Sequence, residues 1–127
     1  MILENIRISQ QAKDQLIRLK RTTGITNWNV LCRWAYVVSL AESSPPLVQD
    51  IHLDSTVEMT WKVFGGKYAV FYEKALIQRC VNDGIELTVD NLQLHFKLHL
   101  HRGIAYLASS NKIKSATDLI DIALHDL

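Results

Sequence analysis

The chain begins with two different patterns of polar and apolar positions. Residues 5–8 alternate at every position, which predicts a short strand. After Ser9, apolar residues recur at helical spacing, and the serine hydroxyl can accept hydrogen bonds from the free amides of a first helical turn. We expect this helix to end at Gly24, because glycine tolerates the left-handed conformation of a helix end. Its apolar stripe is predicted to consist of Ala12, Leu16, Leu19 and Thr23.

A second helix is predicted from Thr26, as its capping residue, to about Ala41, before the two prolines of residues 43–46. It has almost no polar face, and Arg33 is its only charge. A helix that is apolar on every side is buried on every side, which is difficult to achieve in a monomer of 127 residues. The sequence therefore predicts an oligomer larger than a dimer.

Three residues are candidates for the oligomer contact. Ile17 lies among the basic residues of the first helix and outside its apolar stripe. Gly24 forms the turn after that helix, and Trp28 stands near the start of the second one. We expect these positions to meet another subunit.

The second half of the chain is predicted to add a strand and further helices. Residues 56–64 alternate and are interpreted as a strand, which Gly65-Gly66 end. A helix from about residue 67 to residue 82 follows, closed by Gly84. Residues 91–101 fit two patterns, since strict alternation favours a strand while a longer apolar stripe favours a helix. That stripe consists of Leu92, Phe96, Leu100, Ile104 and Leu107.

The end of the chain contains a helix start signal. Ser115 followed three residues later by Asp118 predicts a capping box for a last helix. The apolar side of that helix is predicted to hold Leu119, Ile122 and Ala123.

Length and composition indicate the number of domains and the cellular compartment. The length fits one domain, 1–127, with a strand-helix-turn-helix half (1–44) and a part with a strand and helices (56–127). No secretory signal begins the sequence, and no apolar run approaches the roughly 20 residues that cross a bilayer. Cys32 and Cys80 stand among apolar neighbours and are predicted to be reduced and buried, which fits the cytoplasm.

Charge is unevenly distributed, although the net charge is only +1. Residues 1–40 carry six Lys or Arg and two acids, and residues 41–60 carry four acids and no base. Residues 61–114 carry eight bases and four acids, and residues 115–127 carry three acids. Such blocks are typical either of solvated helix faces or of a dipolar surface, whose basic side can bind nucleic acid.

Catalytic signatures are missing from the sequence. It has no phosphate-binding glycine-rich loop, no CxxC pair and no HExxH. His95 and His99 would share one face of a helix, but no third metal ligand is evident nearby, and solvent-facing or hydrogen-bonded histidines are the favoured interpretation. We therefore predict no catalytic residue, no metal and no cofactor.

The order strand, helix, turn, helix is that of a ribbon-helix-helix module. In that module two strands pair across a dimer and their outward side chains enter the major groove. Asn5 and Arg7 would be outward here, with Ile6 and Ile8 inward. Amides at the start of the second helix, around residues 26–27, could hold a backbone phosphate.

Several stretches match one family pattern. They are Ile8-Ser9, Leu16, Leu19-Lys20, Thr23-Gly24-Ile25-Thr26, Asn29, Arg33, Ser39-Leu40, Trp61, Phe64-Gly65-Gly66 and His101-x-Gly103-Ile104-Ala105-x-Leu107. Together they cover most of the chain and resemble the DndE family of DNA phosphorothioation proteins. The sequence departs from the pattern at residues 27–29, because the family usually has a proline directly after this turn.

The resemblance implies a mainly helical fold, with a ribbon-helix-helix-related N-terminal half, further helices and minor β structure in one compact domain. It implies a tetramer that binds double-stranded DNA and prefers nicked DNA. It implies partners in a DNA modification system of the restriction-modification kind: a cysteine desulfurase, an ATP-pyrophosphatase-like sulfur carrier and an ATPase. It also favours a helix at residues 91–101.

The resulting hypothesis is a non-catalytic DNA-binding subunit, with any nicking activity left open. The expected DNA-binding residues are Arg7, Arg18, Lys20, Arg21, Lys112 and Lys114. The alternatives are a sequence-specific ribbon-helix-helix repressor or antitoxin, and a helical protein-interaction module.

Overall fold

The chain is mainly helical with a small sheet. The structure is a computed structural model and describes residues 3–109 and 113–125. The N-terminal elements are β1 (Asn5–Arg7), α1 (Gln10–Thr23) and α2 (Trp28–Ala41). The central elements are β2 (Glu58–Thr60), α3 (Trp61–Gly65) and a 3-10 turn (Gly66–Tyr68). The remaining helices are α4 (Ala69–Asn82), α5 (Val89–Ser109) and α6 (Ala116–His125).

The sheet forms within one chain. β1 pairs antiparallel with β2, and Ile6 lies opposite Met59. Ile6 and Ile8 are buried and Asn5 and Arg7 are exposed, as the alternation predicts. The partner strand differs from the expectation of a ribbon shared between two subunits, because β1 takes β2 of its own chain.

The strand predicted at residues 56–64 is too long. Strand geometry ends at Thr60, whose side-chain oxygen accepts a hydrogen bond from the amide of Val63 (3.1 Å) and caps α3. Trp61 and Phe64 are then both buried by a helical turn, since residues three apart share one side. A continued strand would have buried Val63 with Trp61, whereas the turn that Thr60 caps leaves Val63 52% exposed.

Helix α1 confirms its prediction. The Ser9 hydroxyl accepts from the Ala12 amide (3.0 Å), and Gly24 ends the helix with φ of 75°. Its buried residues are Ala12, Leu16, Leu19 and Thr23. These two ends fix how far the basic residues of α1 extend along the surface.

Helix α2 departs from its prediction in two ways. Its N-cap is Asn27 and not Thr26, and Asn27 makes no side-chain capping bond. Val37 is 44% exposed and Trp34 is half-buried, so one chain leaves part of this apolar helix uncovered. The side that is buried consists of Leu31, Cys32, Ala35, Tyr36 and Ser39.

Helix α5 crosses α2 at very close range. Residues 91–101 are helical, in agreement with the resemblance and against the alternation. Gly103 of α5 faces the backbone of Ala35, and a Cβ at this position would overlap the Ala35 carbonyl group. The two helices therefore enclose a core with a connected aromatic cluster: Tyr36, Trp61, Phe64, Tyr72 and Phe96.

Two arginines hold the C-terminal end of α2. Arg102 donates to the Ser39 carbonyl and hydroxyl, each at 2.8 Å. Arg79 donates to the carbonyls of Leu40 and Ser44, also at 2.8 Å, and pairs with Asp83 at 2.9 Å. These cations satisfy carbonyl groups that a helix end leaves without partners.

His95 and His99 of α5 are buried, so neither faces solvent, but His99 is hydrogen-bonded, which was the other favoured interpretation. His99 Nδ1 is 2.8 Å from the Ser39 hydroxyl, whereas His99 Nε2 and His95 Nδ1 have no hydrogen-bond partner among the described residues. Burial, followed by the charges of Arg79 and Arg102, lowers the pKa of His99 to about 4. His99 is therefore neutral at physiological pH.

The predicted start of α6 is confirmed. The Asp118 carboxylate accepts from the amides of Lys114 (2.7 Å) and Ser115 (3.0 Å). Leu119 is buried and Ile122 is half-buried, but Ala123 is exposed, contrary to the prediction.

The contact between α2 and α5 gives a test of stability. Gly103→Ala should lower the free energy of unfolding by about 2–4 kcal/mol, because the added methyl group forces the two helix backbones apart. Tyr106→Ala, on the exposed side of the same helix, is the control and should change stability by less than about 1 kcal/mol. Equal stability of both variants in urea denaturation would show that the helices do not meet at this glycine.

Candidate nucleic-acid interface

Arg7 is engaged within the sheet. Its guanidinium forms an ion pair with Glu58 at 2.8 Å, and its other terminal nitrogen lies 3.5 Å from the Ser55 carbonyl. Both partners of the ion pair are about half exposed, so the pair stabilises the fold by at most about 1 kcal/mol. DNA can compete for such a side chain, but Glu58 offsets its charge.

Lys20 and Arg21 lie at the C-terminal end of α1. The Lys20 ammonium is 3.4 Å from the centre of the Trp28 ring, a cation–π contact that joins the ends of α1 and α2. Arg21 is exposed and points away from the core. The structure thus brings a predicted DNA-binding residue, Lys20, directly against a predicted oligomer contact, Trp28.

Arg18 faces another direction. It and Lys20 project roughly 160° apart around the helix, since successive residues turn by about 100°. The Arg18 guanidinium instead lies 3.4 Å from the Ala108 carbonyl near the end of α5. Lys114 is exposed at the start of α6, beside the Asp118 carboxylate. Lys112 lies outside the described residues.

A further group of cations joins Lys20 and Arg21. Asn29 of α2 donates to the Val63 carbonyl of α3 (3.3 Å), and Arg33 donates to the Phe64 carbonyl (2.8 Å). These contacts set α3 and the 3-10 turn beside the start of α2. We call this surface the basic front: Lys20, Arg33, Lys62 and Lys67 lie on the elements that these contacts join, and Arg21 follows Lys20 at the end of α1.

The basic front has no acid in the segments that form it. Residues 15–41 and 59–72 contain neither Asp nor Glu. The sequence predictions missed Lys62 and Lys67, although the second acid-free segment was a signal for them. The start of α2 also belongs here, and its first amides lack a side-chain cap because Asn27 provides none.

The cysteines are placed as predicted and are poor nucleophiles. Both are buried and free. Burial raises the pKa of Cys32 to about 12, and burial together with Asp83 raises the pKa of Cys80. Both thiols are therefore protonated at neutral pH.

The described part of the chain forms neither a cluster of metal ligands nor a helix that could span a membrane. Within residues 3–109 and 113–125, no three His, Cys, Asp or Glu side chains are grouped as metal ligands. None of the helices described is both long and apolar enough to cross a membrane.

Known proteins resemble this chain in sequence and in fold. Residues 5–115 match the family model described as DndE, DNA sulphur modification protein DndE. The crystal structure of DndE from Escherichia coli B7A, involved in DNA phosphorothioation modification, matches with a TM-score of 0.71 and 27% identity, over 84% of this chain and 98% of that one.

A second crystal structure gives the same fold. A glycine-to-lysine mutant of DndE, also involved in DNA phosphorothioation, matches with a TM-score of 0.66 and 24% identity, over 84% of this chain and 98% of that one. Among curated proteins, none matches the sequence significantly.

Proposed function

This chain belongs to the DndE family of DNA sulphur modification proteins, and we propose that it is the DNA-binding accessory subunit of a phosphorothioation system. The observation that carries the proposal is the basic front, a surface built from two acid-free segments. Cations without neighbouring acids attract the phosphate backbone and release its counterions. The protein acts in the cytoplasm, beside its DNA.

Binding depends on phosphates more than on base sequence. Lys20, Arg21, Lys62 and Lys67 are lysines or arginines on an outer surface, and such side chains contact phosphates on any sequence. Arg18, on another side of α1, and Lys114 contact phosphates separately from the basic front. A nick interrupts base stacking and lets duplex DNA bend along a protein surface, which gives nicked DNA its advantage.

The repressor alternative has less support. A ribbon-helix-helix repressor reads bases with the outward side chains of a strand shared by two subunits. Here β1 pairs with β2 of the same chain, and Arg7 is bound to Glu58. Any relationship of the N-terminal half to ribbon-helix-helix proteins therefore lies in the order of its elements and not in the way those proteins read bases.

The subunit does not itself carry out the sulfur chemistry. A persulfide-forming cysteine needs an accessible thiolate, whereas Cys32 and Cys80 are buried and their pKa values are raised. A desulfurase, an ATP-pyrophosphatase-like sulfur carrier and an ATPase supply those steps, and this chain holds the DNA for them.

The working form is a homo-oligomer, a tetramer, with Ile17, Gly24 and Trp28 at its contacts. Support comes from the apolar surface that one chain leaves open, including Ile17 and Val37, since association removes such surface from water. An oligomer also repeats the basic front, so several copies contact one DNA molecule at once.

The DNA contact is tested by removing two charges. Lys20→Ala combined with Arg21→Ala should lower affinity about equally for unrelated duplexes and make the log–log salt slope shallower by up to roughly 2, because two phosphates are no longer neutralised. Fluorescence anisotropy over a salt series measures both quantities.

A charge-matched control removes two lysines elsewhere. Lys13 bonds to the Thr56 hydroxyl at 2.8 Å, and Lys97 lies on α5 beside β1. Replacing both with Ala should leave the slope nearly unchanged. Equal slopes for wild type and the Lys20/Arg21 variant would contradict the assignment.

The oligomer contact is tested by comparing two glycines in the same backbone conformation. Gly24 and Gly84 both have φ of 75° and open space where a side chain would begin. Lysine at either position therefore costs about 1 kcal/mol or more locally. Light scattering should give a mass several times 14.5 kDa for wild type and for Gly84→Lys, and a smaller mass for Gly24→Lys. A wild-type mass near 14.5 kDa would refute the oligomer, and an unchanged Gly24→Lys mass would refute this contact.

A further inference from the structure

Two aromatic rings stand exposed beside the basic front. Tyr68, at the end of the 3-10 turn, is 50% exposed, and Phe71, in the first turn of α4, is 69% exposed. Their ring centres are 6.1 Å apart with planes inclined at 50°. Large aromatic side chains gain much by burial, so leaving two together in solvent indicates a partner.

The backbone that carries these rings is firmly held. The Trp61 indole donates to the Ala69 carbonyl at 3.1 Å, between the two rings in sequence. Trp61 itself is buried and stacks on Phe64 at 5.0 Å. The two exposed rings are therefore presented by a turn that is anchored in the core.

Lysines surround the two rings. The Lys67 ammonium lies 5.1 Å from the centre of the Tyr68 ring. Lys62 is exposed on α3, before the 3-10 turn, and Lys74 is exposed on α4, after the turn. Residues 59–72 contain no acid and Glu73 stands next to Lys74, so two copies of this surface facing one another would bring more lysines than acids together. The charge pattern therefore favours an occupant that is both anionic and flat.

An unpaired nucleotide has both properties, since its base is flat and its phosphate is negative. We propose that Tyr68 and Phe71 form a stacking platform for unpaired bases of DNA, at a strand end or in a single-stranded tail. Base stacking on exposed aromatic rings beside a positively charged surface is a general way to bind single strands without sequence preference.

The platform lies next to the basic front, and this inference therefore rests on the proposed DNA binding. Arg33 reaches the region from α2, with its guanidinium 3.8 Å from where a side chain of Gly66 would begin. Asn29 links the start of α2 to Val63, just before the turn. A strand whose phosphates follow the basic front would bring its unpaired end to the two rings.

The test compares a blunt duplex with the same duplex carrying a short single-stranded tail that contains 2-aminopurine. Wild type should bind the tailed DNA more tightly and quench the 2-aminopurine. Tyr68→Ala and Phe71→Ala should each lower affinity for the tailed DNA on the order of tenfold and remove the quenching. Their affinity for the blunt duplex should stay unchanged.

Two control variants separate stacking from other effects. Phe71→Tyr keeps a ring and should retain both the affinity and the quenching. Val81→Ala removes an exposed apolar side chain at the other end of α4 and should have no effect.

The outcomes distinguish this inference from the proposed function. Binding of blunt duplex by wild type, with no gain from the tail, overturns the platform and leaves the proposed function standing. Binding of neither DNA overturns both. A Phe71→Ala variant with changed oligomeric mass and unchanged tail binding also overturns the platform, because the rings would then contact protein.

Discussion

The fold depends on the close approach of α2 and α5. Gly103 gives the Ala35 backbone the room that a methyl group would occupy, so two long helices lie almost in backbone contact. Once they are that close, α5 can place Phe96 against Tyr36, at 5.2 Å between ring centres, and Trp61 and Phe64 complete the aromatic cluster. The turn that carries the exposed rings is then fixed to the same core.

This arrangement gives the two ends of α2 different roles. At its C-terminal end, the half-buried Arg79 and Arg102 are used to hold carbonyl groups, so their charge serves the fold. At its N-terminal end Asn27 makes no side-chain capping bond, Lys20 lies against Trp28, and the exposed Lys62 and Lys67 stand on the neighbouring helix and turn. A net charge of +1 is therefore compatible with a locally basic surface, because the arginines and acids elsewhere are engaged or segregated.

Local signals predicted local structure well. Ser9 and Gly24 marked both ends of α1, and the stripe between them is the buried face. The prediction of a strand over residues 56–64 was wrong after Thr60, because a strand would bury Val63 with Trp61, whereas the helical turn buries Phe64 with Trp61 and leaves Val63 52% exposed. The helix at residues 91–101 needed the family resemblance, since its pattern fitted both structures.

The candidate site was only partly accessible from the sequence. The density of cations on α1 was visible in the sequence, and helical spacing alone separates Arg18 from Lys20. Their contacts, with the Trp28 ring for Lys20 and the Ala108 carbonyl for Arg18, were not visible. Lys62, Lys67 and the rings of Tyr68 and Phe71 join the basic front through contacts between residues more than 30 positions apart, such as Asn29 with Val63. Periodicity along a chain carries no information about such contacts.

The main proposal is that this subunit binds the phosphates of DNA and prefers nicked duplex. Its most direct test is a competition in which wild-type protein, bound to a labelled duplex, meets nicked and intact duplexes of several unrelated sequences. We expect all intact sequences to compete equally and every nicked version to compete better than its intact counterpart. A single intact sequence that outcompetes the others would contradict the proposal and would indicate base reading.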